Sequence, residues 1–125
     1  MLDDGVDFDA VFALNDALAL GALHALHAHR VDVPGQVALI GFDDVDDARF
    51  AVPALSSVDP GRDQIAQTAV DLLVERIGAS GDPAPFRRVV PDSRIVGRES
   101  TGEDGSVVGV QHGGTEPVAA APARA

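Results

Sequence analysis

Two short apolar runs separated by a helix-forming stretch constrain the fold more than any other feature of this sequence. Residues 9–14 (DAVFAL) combine β-favouring side chains with acidic flanks, which predicts a buried strand. Residues 16–30 are rich in Leu and Ala and predict a helix. Residues 36–42 (QVALIGF) lack polar alternation, as expected for a central strand that is covered on both faces. The order strand, helix, strand predicts a βαβ unit.

A βαβ unit fixes the relative direction of its two strands. The crossover is right-handed in nearly all known cases, so the strands should run parallel and end at the same edge of the sheet. We therefore expect an α/β fold with a doubly wound parallel sheet.

The rest of the chain predicts shorter elements. Residues 43–50 should form a loop or a single helical turn, and Leu55–Val58 a third strand. Asp59 as N-cap and Pro60 at the first helical position predict the start of a helix that runs to about Ile77. The apolar side chains of that helix should pack on the sheet, and they are Ile65, Ala69, Leu72, Leu73 and Ile77.

The last part of the sequence predicts two more strands and a tail. Residues 87–90 and 94–96 are strand candidates separated by Pro91. From about residue 101 the composition shifts to Gly, Ala, Pro, Ser and Glu. We therefore expect a folded domain over residues 1–100 and a disordered tail over 101–125.

Charge and composition exclude several classes of function. The net charge is -11, and a chain this acidic is repelled by nucleic-acid phosphates. All nine basic residues are Arg, so Schiff-base chemistry and a P-loop lysine are excluded. The absence of Cys excludes disulfides and thiolate catalysis. The acidic N-terminus and the lack of any run of about 18 apolar residues predict a cytoplasmic chain with no membrane partner.

Polar residues follow both predicted strands of the βαβ unit. In open parallel sheets, ligands bind beyond the carboxyl ends of the strands. Asn15 and Asp16 follow the first strand, and Asp43 and Asp44 follow the second, so the four side chains should lie together. They could bind the hydroxyls of a sugar or a similar polar molecule. The alternative is that Asn15 or Asp16 only caps a helix and that the acidic pair only solvates a turn.

Other chemistry has weaker support in the sequence. His24 and His27 lie one helical turn apart, with His29 nearby, but no carboxylate accompanies them, so we expect no metal site. The acidic run after residue 42 lacks the Gly and Glu of a calcium loop. No catalytic triad, zinc-protease motif or phosphate loop occurs in a suitable context. Asp43 could serve as a phosphate acceptor, as in phosphohydrolases and phospho-receiver domains. Those proteins also use a lysine, which this chain lacks. We therefore expect that the chain is not an enzyme and that it uses no cofactor.

Five segments in order carry a family resemblance, and they are FALNDALALGALHAL, VPGQVALIGFDDVDDARF, PALSSVDP, QTAVDLLVERI and RIVGRES. Over residues 5–100 the chain resembles the C-terminal subdomain of the sensor domain of LacI/GalR transcriptional regulators. That subdomain has the periplasmic-binding-protein-like type I fold. Each motif is weak alone, but five in one continuous register make the resemblance strong.

The resemblance implies an effector site and a dimer. Asn15 and Asp43 would contact a small-molecule effector, a sugar or a nucleobase-like compound, while Asp16 and Asp44 would support them structurally. Residues 18–28 and 47–53 would contribute to a homodimer interface. Operator DNA would be bound only through a helix-turn-helix that these 125 residues do not include.

The chain also departs from the family pattern. The first lobe of the sensor, which would supply the other wall of the effector cleft, is missing from these residues. Where many relatives have Gln-Pro after the third strand, this chain has Asp59-Pro60-Gly61, so an effector contact by a Gln side chain is in doubt. Two other functions remain open, namely a fragment of a sugar transporter's solute-binding protein and a truncated product without function.

We predict that the 125-residue chain does not bind DNA specifically at physiological salt. Its charge of -11 opposes the phosphate contacts that provide most of the affinity for DNA. Fluorescence anisotropy with operator-like and random duplexes checks this. Sequence-specific binding at submicromolar concentration would contradict the prediction.

Overall fold

A five-stranded mixed sheet organises the part of the chain described by our computed structural model. That part comprises residues 7–78, 86–102, 107–110 and 115–117. The first half contains β1 (Ala10–Phe12), α1 (Asp16–Ala28), β2 (Ala38–Phe42), α2 (Asp47–Phe50) and β3 (Ser56–Asp59). There follow α3 (Arg62–Gly78), β4 (Arg87–Val89), β5 (Ser93–Val96), a 3-10 turn (Glu99–Thr101), β6 (Val107–Val110) and β7 (Thr115–Pro117).

The sheet has the strand order β1-β2-β3-β5-β6. The first three strands are parallel, which confirms the predicted βαβ unit and places their carboxyl ends at one edge. The other two strands are antiparallel to their neighbours. A separate antiparallel pair is formed by β4 and β7.

Helix α1 begins where the sequence predicts, and Asn15 rather than Asp16 is its N-cap. The backbone of Asn15 is extended, and its Oδ1 accepts a hydrogen bond from the amide of Leu18 at 2.8 Å. The helix ends at Ala28, two residues before the predicted end. Arg30 has a φ of 60°, a left-handed conformation that cannot continue a helix.

The core lies between α1, β2 and the segment that leads into β3. Leu39 and Leu55 are fully buried, and they form one cluster with Ala13, Ala19, Leu23 and Ala48. Burial of each leucine contributes about 1.5–3 kcal/mol relative to an exposed side chain. Small alanine side chains on α1 and α2 allow these helices to approach the sheet closely.

The predicted start of α3 is wrong. Asp59 belongs to β3, and the helix begins only at Arg62. Gly61 between them has a φ of 77°, and a Cβ there would lie 2.6 Å from the carbonyl oxygen of Asp92. The turn at this position requires glycine, so the Asp-Pro helix-start signal does not operate here.

The predicted packing of α3 on the sheet is also wrong. No residue of this helix is buried, and the side chains of Ile65, Val70, Leu73, Val74 and Ile77 are all exposed. A groove of about 320 Å³ separates α3 from β4 and is lined by apolar and polar side chains, including Ile65, Leu72 and Arg88. An apolar helix face becomes buried only when a second surface covers it, and the described residues supply only part of such a surface.

Two stretches of the segment predicted to be disordered are strands in the structure. Val107–Val110 pairs with β5, and Thr115–Pro117 pairs with β4. The valines of the first stretch favour extended backbone, and β5 offers it an unpaired edge. Residues 103–106, 111–114 and 118–125 lie outside the described residues, and the domain boundary at residue 100 stays a prediction.

Within the described ranges, no helix is long and apolar enough to cross a membrane.

We predict that the isolated chain self-associates through α3, because that helix exposes a row of apolar side chains. Replacing Leu73 and Ile77 with Gln should shift the chain toward monomer. Asp63→Gln on the same helix is the matched control, because it removes no apolar surface. Sedimentation velocity checks this, and a monomer at tens of micromolar with a concentration-independent melt would refute it.

Candidate functional site

The carboxyl edge of β1, β2 and β3 gathers the polar residues singled out in the sequence. Ala10 pairs with Ala38 and Phe12 pairs with Ile40 in the parallel register. The same register, continued past the strand ends, brings Asn15 alongside Asp43. The predicted juxtaposition of these two residues follows from the strand pairing.

Asn15 retains part of its hydrogen-bonding capacity. Its side chain is half-buried, and Oδ1 caps α1 through the amide of Leu18. Among the described residues, nothing accepts a hydrogen bond from its amide nitrogen. The capping role is therefore real, and it leaves two N–H donors available at the edge.

Asp43 has an unfavourable backbone and an unpaired side chain. Its φ is 104°, a conformation rare for residues other than glycine, and its amide donates to the carbonyl of Val58 at 2.9 Å. The side chain is half-buried, and no donor to its carboxylate occurs in residues 7–78, 86–102 or the two short strands beyond. A strained residue whose side chain makes no internal bond is typical of a functional position.

Asp16 has a structural role. Its side chain is fully buried, Oδ1 accepts from the hydroxyl of Ser57 at 2.6 Å, and Oδ2 accepts from the amide of Val45 at 2.8 Å. These bonds join the start of α1 to β3 and to the loop after β2. The carboxylate thus fixes the relative positions of the three segments that form the edge.

Gly41 makes room for this carboxylate. A Cβ at position 41 would overlap Oδ1 of Asp16 and would lie 3.2 Å from the Cβ of Ala19. Both neighbours are fully buried and cannot move aside cheaply. The glycine that precedes Phe42 and Asp43 is therefore required by the buried Asp16.

Asp44 also turns inward and is neutralised by Arg98. Its Oδ1 lies 2.5 Å from Nη2 of Arg98, and the side chains are only 6% and 12% exposed. Nη1 of Arg98 donates to the carbonyl of Leu55 at 2.7 Å, and the amide of Asp44 donates to the Ser57 hydroxyl at 3.0 Å. Because removing one member of a buried ion pair leaves the other charge uncompensated, Asp44 supports the fold.

The residues that complete this network were not predicted from the sequence. Ser57 joins Asp16 to the backbone of Asp44, and Arg98 pairs with Asp44 from the other end of the chain. Ser100 donates to the carbonyl of Leu39 at 2.6 Å and accepts from the amide of Ser56 at 2.8 Å. The RIVGRES motif, which contains Arg98 and Ser100, was the sequence signal for these residues. Charged and hydroxyl side chains near the end of a fold can form hydrogen bonds to earlier strands.

Asp59 is bonded to residues of the neighbouring turn and strand. Its Oδ1 accepts from the amide of Gly61 at 2.9 Å, and its Oδ2 lies 2.7 Å from Nη2 of Arg94. Burial by itself raises the pKa of Asp59, but these two hydrogen bonds and the charge of Arg94 outweigh it, so the pKa is lowered. Asp59 therefore joins β3 to β5, and it does not replace the missing Gln.

The histidines of α1 do not form a metal site. His24 and His27 are exposed, and nowhere in the described ranges do three metal-ligating side chains come together. An amide donor and an unpaired carboxylate thus lie at the carboxyl end of parallel strands, which is where open α/β sheets bind their ligands.

Comparison with known proteins identifies the family to which this α/β domain belongs. Residues 4–101 match the periplasmic binding protein-like domain family. A curated relative, the HTH-type transcriptional regulator MalR of Clostridium butyricum, is 34% identical over 75% of this chain and 27% of its own length. The chain therefore belongs to the periplasmic binding protein-like domain family, and it is similar to one part of regulators such as MalR and GalR.

Solved structures give the same result. A LacI-family regulator from Sanguibacter keddieii is 55% identical with a TM-score of 0.77, covering 82% of this chain and 39% of that one. A complex of the transcriptional regulator CelR with cellobiose is 38% identical with a TM-score of 0.70, covering 79% and 30%. The lac repressor dimer bound to operator is 27% identical with a TM-score of 0.69, covering 81% and 30%. This chain thus spans between a quarter and two fifths of these relatives.

We predict that Gly41→Ala destabilises the fold by about 1–3 kcal/mol, because the added methyl group would overlap the Asp16 carboxylate. Gly21→Ala is the matched control, since position 21 on α1 has open space, and alanine there should stabilise the helix by about 0.5–1 kcal/mol. Urea denaturation of both variants checks this. Equal free energies of unfolding for Gly41→Ala and the parent would show that the contact is not a constraint.

Proposed function

We propose that this chain is the effector-sensing part of a LacI/GalR-type transcriptional regulator and that Asn15 and Asp43 contact the effector. The observation that carries this proposal is the carboxylate of Asp43, which is half-buried, held on strained backbone and unpaired among the described residues. A ligand hydroxyl would satisfy it. The free amide N–H groups of Asn15 would donate to a second ligand oxygen.

The chemistry of this edge favours a hydroxylated effector such as a sugar. A carboxylate accepts two hydrogen bonds from neighbouring hydroxyls, and an adjacent amide both donates and accepts. The cellobiose complex of the related CelR supports this class of effector. The proposed role is binding rather than catalysis, and it uses no cofactor or metal.

We propose that the effector acts by changing the state of a homodimer. Leu18 on α1, Phe50 on α2 and Val52 after it are 57%, 81% and 86% exposed, so the surface predicted to form a dimer interface carries large apolar side chains. The related lac repressor is a dimer on its operator. Operator DNA would be bound by a helix-turn-helix outside these 125 residues, in a cytoplasmic regulator.

The buried network offers a route between the effector edge and that surface. Val45, whose amide is held by Asp16, directly precedes the turn that leads into α2. An effector that binds one dimer state more tightly shifts the population toward it, and the shift is limited by that difference in affinity. Asp43 lies two residues before Val45, so a displacement of Asp43 would pass along this loop toward α2.

We predict that Asp43→Ala in a full-length regulator containing this segment weakens effector binding by about 2–3 kcal/mol, or roughly 30- to 150-fold. Asp46→Ala is the matched control, because Asp46 is a nearby exposed aspartate whose side chain, among the described residues, pairs only with Arg49 at 3.8 Å. Calorimetric titration with a panel of sugars that includes cellobiose checks this.

A third variant distinguishes the loss of an effector contact from the loss of the folded structure. Asp43→Gly relieves the positive φ and should fold at least as stably as the parent, yet it should also lose the effector. Equal affinities for the parent and Asp43→Gly would remove Asp43 from the site. Asp44→Ala is unsuitable, because it would break the buried pair with Arg98.

A further inference from the structure

The third parallel strand also sends a charged side chain to the carboxyl edge. Strand β3 ends at Asp59, and the glycine turn at Gly61 allows α3 to begin at Arg62. Nη2 of Arg62 donates to the carbonyl oxygen of Asp44 at 2.8 Å. This bond holds the guanidinium beside the bend that contains Asp43.

Arg62 and Asp43 are opposite charges at one edge, and neither neutralises the other. The carboxylate of Asp44 is paired with Arg98, so it is not available to Arg62. Within the part of the chain that the structure describes, the guanidinium of Arg62 makes only the bond to the Asp44 carbonyl. Four of the five N–H donors of a guanidinium therefore remain for another partner.

A ligand that bridges Asp43 and Arg62 needs both hydrogen-bond donors and hydrogen-bond acceptors. Hydroxyls would donate to Asp43, and acceptor oxygens would receive hydrogen bonds from Arg62. A planar guanidinium binds a carboxylate or a phosphate through two parallel hydrogen bonds, and such charge-assisted bonds are about twice as strong as neutral ones. Its preferred partner is therefore an anionic group and not a further hydroxyl.

We infer that Arg62 is a specificity-determining residue of the effector site and that the effector is a sugar bearing a carboxylate or a phosphate. This inference rests on the proposed function of the edge. The anionic group binds Arg62, while the hydroxyls bind Asp43 and Asn15.

The test compares neutral and anionic sugars on the 125-residue chain. Glucose, glucuronate and glucose 6-phosphate are titrated while ¹H–¹⁵N spectra follow the Asn15 side chain, the Asp43 and Asp44 amides and the Arg62 Nε–H. A well-dispersed spectrum shows that each variant is folded. Inorganic phosphate alone is included to detect binding of any small anion.

We predict that one of the anionic sugars binds at least about tenfold more tightly than glucose and that Arg62→Gln removes this preference. The affinity for glucose should change less than about threefold in that variant. Arg62→Lys keeps the charge but loses the planar fork, so it should recover only part of the preference. Arg49→Gln is the matched control for charge, since Arg49 is exposed on α2.

The outcomes separate this inference from the proposed function. Equal binding of neutral and anionic sugars at Asn15 and Asp43, unchanged by Arg62→Gln, overturns the role of Arg62 and leaves the effector site standing. No perturbation of Asn15 or Asp43 by any sugar counts against both. Binding of inorganic phosphate as tightly as glucose 6-phosphate shows a simple anion site and also overturns the inference. Preference for glucuronate or for glucose 6-phosphate identifies the anionic group.

Discussion

The hydrogen bonds of the buried Asp16 carboxylate hold together the segments that form the carboxyl edge of the sheet. Moving a charged group out of water is expensive unless hydrogen bonds compensate for it, and here Ser57 and the amide of Val45 each supply one. Each bond reaches a different segment, so one buried side chain sets the positions of α1, β3 and the loop after β2. Gly41 follows from the same contact, because only a residue without a Cβ leaves space for the carboxylate.

A division of roles among neighbouring acidic residues follows from this arrangement. Asp16 and Asp44 are both buried, and Asp16 accepts hydrogen bonds from neutral donors while Asp44 pairs with Arg98. Asp43 directly precedes Asp44, and it has a positive φ and no side-chain partner among the described residues. The two satisfied carboxylates hold the backbone rigid enough to keep the third in a strained conformation, which is the arrangement expected where a ligand provides the missing bonds.

The apolar surface of the chain is as informative as its polar edge. Among the described residues, no side chain of α3 is buried, and the side chains of Phe50 and Val52 are exposed as well. Monomeric soluble proteins seldom expose several large apolar side chains together. The relatives are longer proteins, since the matched part of this chain spans 27% of MalR and 39% of the Sanguibacter regulator.

The sequence by itself determined the βαβ unit and the candidate site, because both depend on local patterns. Apolar runs, helix formers and a capping Asn15 are short-range signals, and a parallel register then brings Asn15 to Asp43. The start of α3, its lack of burial and the strand pairing of β6 and β7 were decided only by the tertiary structure. The start of α3 depends on the close approach of Gly61 to Asp92. The pairing of β6 and β7 depends on the edges that β5 and β4 offer them. The exposure of α3 depends on which other segments pack against it. The partners of Asp16 and Asp44 belong to the same group, since Ser57 and Arg98 are far away in the sequence, and only the folded chain brings their donors to a buried carboxylate.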